Sequence, residues 1–393
     1  MTTQDIKLWY KQSPLWLIPE DWECKELEKI CNIAKWEQLN TVNLTETWEY
    51  PSYSWWVVPS WFTTKWNTEK NTIIISEWWN SCWYVNYIKT RFWSWWHCYT
   101  VQDIKIEKLF LYQQLKFSQN KIMRLRIGSW LPNIQKQDLL KFNLCYPLDF
   151  QEQETIAKIL WKVDETIEKT QNMIEKLELR NKWLEQKLLK NDNRNEIKLQ
   201  NLFERVTDKN SEWNTNVVTI SAQKWFIKQN DFFNKFVASE TLDNYYLVKK
   251  WEFCYNKSYS NWYPMWAIKR LNDFDKAVVT TLYICFRIKD LNKTSWDFFE
   301  YYFNAWLLNK WLIQIAYEWW RAHWLLNVSP NDFFNLKIRV PEIEEQKAIA
   351  NILNKANKQL NKYEQKLEKL QELKKWLMQQ LLTWKVRVKE FRN

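Results

Sequence analysis

Residues 152–189, EQETIAKILWKVDETIEKTQNMIEKLELRNKWLEQKLL, align without a gap to residues 345–382, EQKAIANILNKANKQLNKYEQKLEKLQELKKWLMQQLL; 17 of the 38 positions are identical and the offset is 193 residues. Each copy carries apolar residues at alternating spacings of four and three. The first stripe runs Ile156, Leu160, Val163, Ile167, Thr170, Ile174, Leu177, Asn181, Leu184, Leu188. The second runs Ile349, Leu353, Ala356, Leu360, Tyr363, Leu367, Leu370, Lys374, Leu377, Leu381. This is a coiled-coil seam of about five heptads per copy. The polar interruptions Asn181 and Lys374 fall at equivalent slots, as register-setting residues do. At about 1.5 Å per residue each helix is roughly 57 Å long. A lone amphipathic helix cannot bury its stripe, so the simplest arrangement packs the two helices on each other. Two unrelated surface helices would not share an offset and its interruptions.

Each helix follows a globular stretch. Residues 16–150 hold strand-like runs at 71–77 (NTIIISE), 84–88 (YVNYI) and 97–101 (HCYTV). Residues 191–341 hold runs at 217–222 (VVTISA), 244–253 (NYYLVKKWEF) and 277–288 (AVVTTLYICFRI). Pro147 and Pro341 stand just before the helices, as boundary residues do. The expected fold is α+β: two mixed α/β domains separated by two long helices in an antiparallel coiled coil, with an internal pseudo-two-fold repeat. The expected boundaries are 1–150 and 191–341 for the globular domains, 151–190 for the first helix, and 342–393 for the second helix with its tail.

Composition narrows the class. With 393 residues, 46% apolar and 26% charged, the chain has enough material for two or three ordered domains. Mean hydropathy is −0.59, and no apolar run approaches the ~18 residues a spanning helix needs. The first residues lack the apolar region of a signal peptide. The expectation is a cytoplasmic protein with no membrane role. The seven cysteines (24, 31, 82, 98, 145, 254, 285) contain no CxxC pair, so reduced thiols are expected, with neither a zinc ribbon nor a disulfide framework.

One anomaly stands out: the chain has one glycine (Gly128) and 31 tryptophans. Ordinary usage of about 7% predicts about 27 glycines, because turns and helix ends need residues that tolerate positive φ. Glycine and tryptophan together come to 32, near a normal total for both. The doublets Trp55-Trp56, Trp78-Trp79, Trp95-Trp96 and Trp319-Trp320 lie in polar, turn-like surroundings such as PSYSWW and SEWWNSCW, where chains favour glycine. The reading is that the source decodes UGA as glycine and this translation wrote tryptophan. Trp22 and Trp93 sit in contexts that ask for no glycine and read as true tryptophans. The alternative is a protein truly rich in tryptophan.

The sequence holds no recognisable catalytic motif. Two histidines, His97 and His323, are too few for a His-rich metal site or a multi-His relay. No Walker A element appears even with Trp read as Gly, nor an Asn-Pro-Pro-aromatic tetrapeptide of amino-methyltransferase type. Cys98 beside His97 would sit on the opposite strand face from it. The net charge of +11, with nine of the eleven excess charges in residues 191–393, fits a polyanion partner and equally fits an ordinary basic surface.

The globule–helix–globule–helix plan resembles the DNA specificity subunit of Type I restriction–modification systems. Residues 17–23 (LIPEDWE) resemble the start of that family's first target recognition domain. With Trp read as Gly, so do 50–63 (YPSYSGGVVPSGFT) and 73–87 (IIISEGGNSCGYVNY). Residues 127–139 (IGSGLPNIQKQDL) and the helix starts at Glu152-Gln153 and Glu345-Gln346 fit as well. In the second globule 219–233, 266–271, 280–288 and RAHW at 321–324 fit, and so does the tail 377–391. The tryptophans are the departure, and they fall where the family has glycine. The resemblance implies a chain without a catalytic centre. It implies two target recognition domains that each read half of a split double-stranded DNA site. The helices act as a ruler and dock two methyltransferase subunits, and restriction subunits complete the complex. No cofactor is implied in this chain; S-adenosylmethionine, ATP and Mg are implied for the partner subunits.

Base readout uses Arg, Lys, Asn and Gln with help from Ser, Thr and Tyr, and phosphate contacts use Lys, Arg, Ser and backbone N–H groups. The candidates in the first domain are Ser52, Tyr53, Ser54, Asn80, Ser81, Lys89 and Arg91. In the second they are Lys224, Asn256, Lys257, Ser258, Tyr259, Lys269, Arg270 and Arg321. For each, a solvated or structural side chain is the competing reading. Two rival functions remain at this point: a coiled-coil adaptor that binds protein only, and a single-chain nuclease or methyltransferase.

Overall fold

A computed structural model describes residues 10–15, 17–38, 44–45, 49–54, 58–59, 61–76, 84–124, 135–190, 194–220, 226–228, 242–256, 267–309, 311–312 and 328–388. They form two compact units: residues 1–172 with 365–393, and residues 173–364. The division differs from the one drawn along the sequence because each long helix gives one half to each unit.

In the first unit the order begins β1 (Tyr10–Gln12), β2 (Leu17–Pro19), β3 (Trp22–Glu26), α1 (Leu27–Ile30), β4 (Asn32–Ala34), β5 (Leu44–Thr45) and β6 (Tyr50–Tyr53). It continues β7 (Trp61–Thr63), β8 (Thr72–Ser76), β9 (Val85–Ile88), β10 (Trp93–Ser94) and β11 (Cys98–Gln102). Then come α2 (Lys108–Phe117), α3 (Gln119–Met123), α4 (Lys136–Leu140), β12 (Asn143–Pro147) and α5 (Phe150–Leu189). One sheet has the order β4-β11-β8-β9 and is antiparallel; another runs β10-β6-β7-β5, with β10 parallel to β6. Ile73, Ile74 and Ile75 of β8 are all buried, as in a strand covered on both faces. Ile73 and Ile75 share a core with Phe110 and Leu111 of α2, with Ile156 and Leu160 of α5, and with Met378 and Leu381 from the far end of the chain.

The second unit adds β13 (Glu196–Lys198), α6 (Leu199–Leu202), β14 (Phe203–Val206), β15 (Val218–Ile220), β16 (Phe226–Lys228), β17 (Tyr246–Lys249) and β18 (Phe253–Asn256). It continues β19 (Ala267–Arg270), β20 (Lys276–Val279), β21 (Ile284–Ile288), α7 (Trp296–Asn304), α8 (Pro330–Asn335), β22 (Lys337–Arg339) and α9 (Ile343–Leu381). Its antiparallel sheet has the order β14-β21-β18-β19. Two runs expected as single strands each divide in two: 244–253 breaks at a turn before β18, and 277–288 breaks between β20 and β21. Phe203, Phe253, Phe286, Phe299, Phe303 and Phe333 fill the interior with Leu189, Ile349 and Leu353. Many of the rings meet edge to face, Phe203 and Phe299 at 4.8 Å, an arrangement the ring quadrupole favours.

Within both units α5 and α9 run antiparallel. In the first, Glu152 meets Arg387 and Asp164 meets Lys374; in the second, Asn181 meets Asn357 and Arg194 meets Glu345. As one number rises the other falls. No residue of either apolar stripe is exposed, whereas most positions between them are. Asp149 starts α5, its carboxylate accepting the Gln151 N–H at 3.0 Å.

The register of β3 on β12 sets Cys24 opposite Cys145, and the structure joins the two sulfurs. This corrects the expectation of reduced thiols throughout. The partners are 121 residues apart, so only strand pairing brings them together. Cys254 and Cys285 also face each other across β18 and β21, with sulfurs 3.5 Å apart. No described helix is long and apolar enough to cross a membrane.

Leu353 is 2% exposed and its neighbour Ile352 is 44% exposed. Leu353→Ala is expected to lower the unfolding free energy by about 2–5 kcal/mol and Ile352→Ala by at most about 0.5 kcal/mol, as read by urea denaturation.

Candidate nucleic-acid interface

In the first unit the candidates of segment 52–54 separate by burial. Ser52 and Ser54 are buried, at 0% and 3% exposure. Ser52 lies opposite Trp61 of β7 and Trp93 of β10. Among the described residues its hydroxyl meets no hydrogen-bond partner. This corrects the reading of Ser52 and Ser54 as DNA-facing: both residues are buried. Tyr53, on the other face of the strand, stacks edge-on against Phe92 at 5.5 Å, and burial pushes its phenol up.

Lys89 and Arg91 follow β9 and keep half-exposed charged ends. The Lys89 ammonium is 2.6 Å from Glu168 and 5.2 Å from the centre of the Trp161 ring. The Arg91 guanidinium is 3.1 Å from Glu69 and 4.4 Å from the centre of the Trp66 ring. Exposed pairs of this kind hold by at most about 1 kcal/mol, so a phosphate can take the place of either carboxylate.

In the second unit, Lys269 and Arg270 of β19 are tied to α7. Lys269 donates to Asn304 at 2.6 Å, and burial pulls its ammonium down. Arg270 is buried: it donates to Asp297 at 2.8 Å and to Asn272 at 2.8 Å, pairs with Glu300, and lies 4.9 Å from the Trp251 ring. Burial pushes the Glu300 carboxyl up while Arg270 pulls it down. The assignment of Arg270 to DNA is therefore corrected, because its donors are consumed in holding α7 on the sheet. Asn256 ends β18 and is half-buried. Asn80, Ser81, Lys224, Lys257, Ser258, Tyr259 and Arg321 lie outside the described residues. Among the described residues no group of histidine, cysteine or carboxylate side chains has the arrangement of a metal site.

The structure also assembles residues that no motif marks. Glu152 is fully buried and receives Arg387 through two hydrogen bonds of 2.9 Å; Arg387 also grips Asp21 at 2.7 and 3.0 Å. At the position 193 residues on, Glu345 receives Arg194 at 2.6 Å, and Arg194 caps the last carbonyls of α5, those of Leu188 and Leu189. The adjacent glutamines are equivalent too. Gln153 donates to the Pro147 carbonyl and accepts the Glu107 N–H; Gln346 donates to the Pro341 carbonyl and accepts the Ser295 N–H. The signal was available in the sequence: Arg194 and Arg387 share the repeat offset just beyond the helical alignment.

The seam's polar slots are equally matched. Asp164 and Lys374 pair in the first unit, and Asn357 and Asn181 occupy the same two slots in the second, bonded at 2.9 Å. Gln113 supports Asp164 at 2.7 Å. Nearby, Lys116 donates to the Val85 carbonyl at 2.9 Å and sits 3.7 Å from the centre of the Tyr84 ring. Burial, helped by Lys374, lowers its ammonium to about 8.

Two expectations follow from these buried charges. Arg387→Met leaves Glu152 buried without its cation and is expected to cost about 3–5 kcal/mol of stability; Arg194→Met costs less because Glu345 is half-exposed. Thermal unfolding of the two variants compares them. For Lys116, the unfolded chain holds its proton up to about 10.5 while the folded chain releases it near 8. Between those values unfolding takes up a proton, so this residue's contribution to stability rises with pH and is lost as pH falls through about 8. Lys116→Met is expected to lack that rise when unfolding free energies are compared at pH 7.5 and pH 10.

A family profile for the Type I restriction modification DNA specificity domain matches residues 19–179. The chain is similar to the specificity subunit of a Type I restriction enzyme of Methanocaldococcus jannaschii, 26% identical over 323 residues, 72% of this chain and 71% of that protein. It is 28% identical over 158 residues to a Type I specificity subunit of Mycoplasma genitalium, covering 39% of this chain and 41% of the relative. The aligned part thus spans about two fifths of that relative's length. The crystal structure of the S subunit of a Type I restriction–modification system from M. genitalium shares the fold, with a TM-score of 0.65 at 20% identity, covering 92% of this chain and 96% of that one. Residues 19–179 therefore match the Type I restriction modification DNA specificity domain, and the fold of the chain is that of the M. genitalium S subunit.

Proposed function

We propose that this chain is the DNA-reading, non-catalytic subunit of a Type I restriction–modification complex, in which each unit reads one half of a bipartite double-stranded site. The observation that carries this reading is the repeat made physical: one chain holds two units built on the same pair of helices, anchored by the same residues at a 193-residue offset. A duplicated reader joined by stiff helices converts a split recognition sequence into a fixed number of unread base pairs, at about 3.4 Å each along a strand. Lys89 and Arg91, with exposed and readily exchanged partners, support phosphate contacts in the first unit.

Partner docking is part of the same proposal. Ile159 and Ile352 are repeat equivalents and stay 37% and 44% exposed, off the buried seam. Two equivalent apolar positions fit two copies of one partner, the methyltransferase subunit, with restriction subunits joining the assembly. S-adenosylmethionine, ATP and Mg are then held by those partners.

Co-expression with the neighbouring methyltransferase gene in a methylation-free host, followed by mapping of modified adenines, tests the reading. The expected result is a two-part motif with a constant gap. A soluble, assembled complex that leaves DNA unmodified would instead assign the chain as a protein-binding adaptor. Leu177→Glu or Leu370→Glu is expected to abolish assembly, and an unchanged methylation rate in either variant contradicts the spacer role of the helices.

A further inference from the structure

Seven described residues other than glycine have backbone in the left-handed region: Asn71, His97, Asp103, Trp213, Trp251, Trp306 and Trp384. Asparagine, aspartate and histidine are the types enriched there, since their short or polar side chains tolerate it; a bulky side chain crowds its own backbone. Every other left-handed position among the described residues is thus a tryptophan.

Local geometry at these positions asks for glycine. Lys249–Glu252 is a β-turn closed by the Glu252 N–H on the Lys249 carbonyl at 3.1 Å. Trp251 is its third residue with φ 74°, and Lys250 before it is not left-handed. That combination is a type II turn, whose third position takes glycine. Trp306, φ 61°, directly follows the C-cap Ala305 of α7, the position where helices most often end in glycine. Trp384, φ 51°, lies in the turn that closes α9, where the Val386 N–H reaches back to the Gln380 carbonyl at 3.1 Å. Trp213, φ 54°, is in a loop tied by Asn210, which bonds the Asn214 backbone twice at 2.9 Å; its indole is 77% exposed. Trp22 differs on every count: it is in β3, fully buried, and not left-handed.

We infer that positions 213, 251, 306 and 384 are glycine in the protein its own cell makes, each specified by a UGA codon that the cell reads as glycine, and that position 22 is a true tryptophan. The composition, with one glycine against 31 tryptophans, is accounted for by the same substitution elsewhere in the chain.

Two measurements test it, and neither depends on the DNA-reading role. The gene is expected to carry UGA at the four positions and UGG at position 22, and peptides of the protein purified from its own cells are expected to carry the mass of glycine at the four. UGG codons at the four positions, or UGA codons with peptides of tryptophan mass, overturn the inference. Two synthetic genes then isolate the backbone argument. The variant W213G/W251G/W306G/W384G is expected to melt several degrees above the all-tryptophan chain, and an equal or lower Tm contradicts it.

Discussion

The apolar stripe of α5 has nothing within α5 to cover it, and the same is true of α9. Each is buried because the other passes it in the opposite direction, and both unit cores are completed by that pairing. Ile156 and Leu160 enter the first core with Met378 and Leu381; Leu189 enters the second with Ile349 and Leu353. Asp21 and Arg387, 366 residues apart, meet within the first unit for this reason. Arg387 holds Asp21 and Glu152, so residues from the last turn complete a unit that begins near the first strand. Burying Glu152 is tolerable only because a guanidinium answers it with two hydrogen bonds.

The seam also shows how a duplicated sequence is kept from being interchangeable. Equivalent slots hold Asp164 and Lys374 in one unit and Asn357 and Asn181 in the other. Polar residues inside an apolar stripe lower stability yet penalise misaligned pairings, because a slipped register strands them without partners. Here one slot pair uses charge and the other amides, so the two halves of the helix pair are chemically distinct.

The candidate interface was only partly legible beforehand. Residue type marked Lys89, Arg91 and Arg270 alike as phosphate or base contacts. Tertiary structure separates them: Lys89 and Arg91 keep exposed ends, and Arg270 is buried under α7 among Asp297, Glu300 and Asn272. Ser52 and Ser54 look like loop hydroxyls in YPSYS and are both buried, Ser52 within a strand that places Tyr53 on its other face. A sequence shows which groups have donors. It does not show which donors the fold has already used.

By itself the sequence determined the two long helices, their seam and the duplication, because a 3.5-residue apolar period and a constant offset are properties of linear order. It also exposed the shortage of glycine, which is a property of composition. Only the tertiary structure decided which lysines and arginines are spent on internal carboxylates, that Cys24 meets Cys145, and where runs such as 244–253 break into two strands. Those outcomes depend on partners brought near by folding, 27 residues away for Arg270 and Asp297 and 121 for Cys24 and Cys145, or on the backbone turn at position 251.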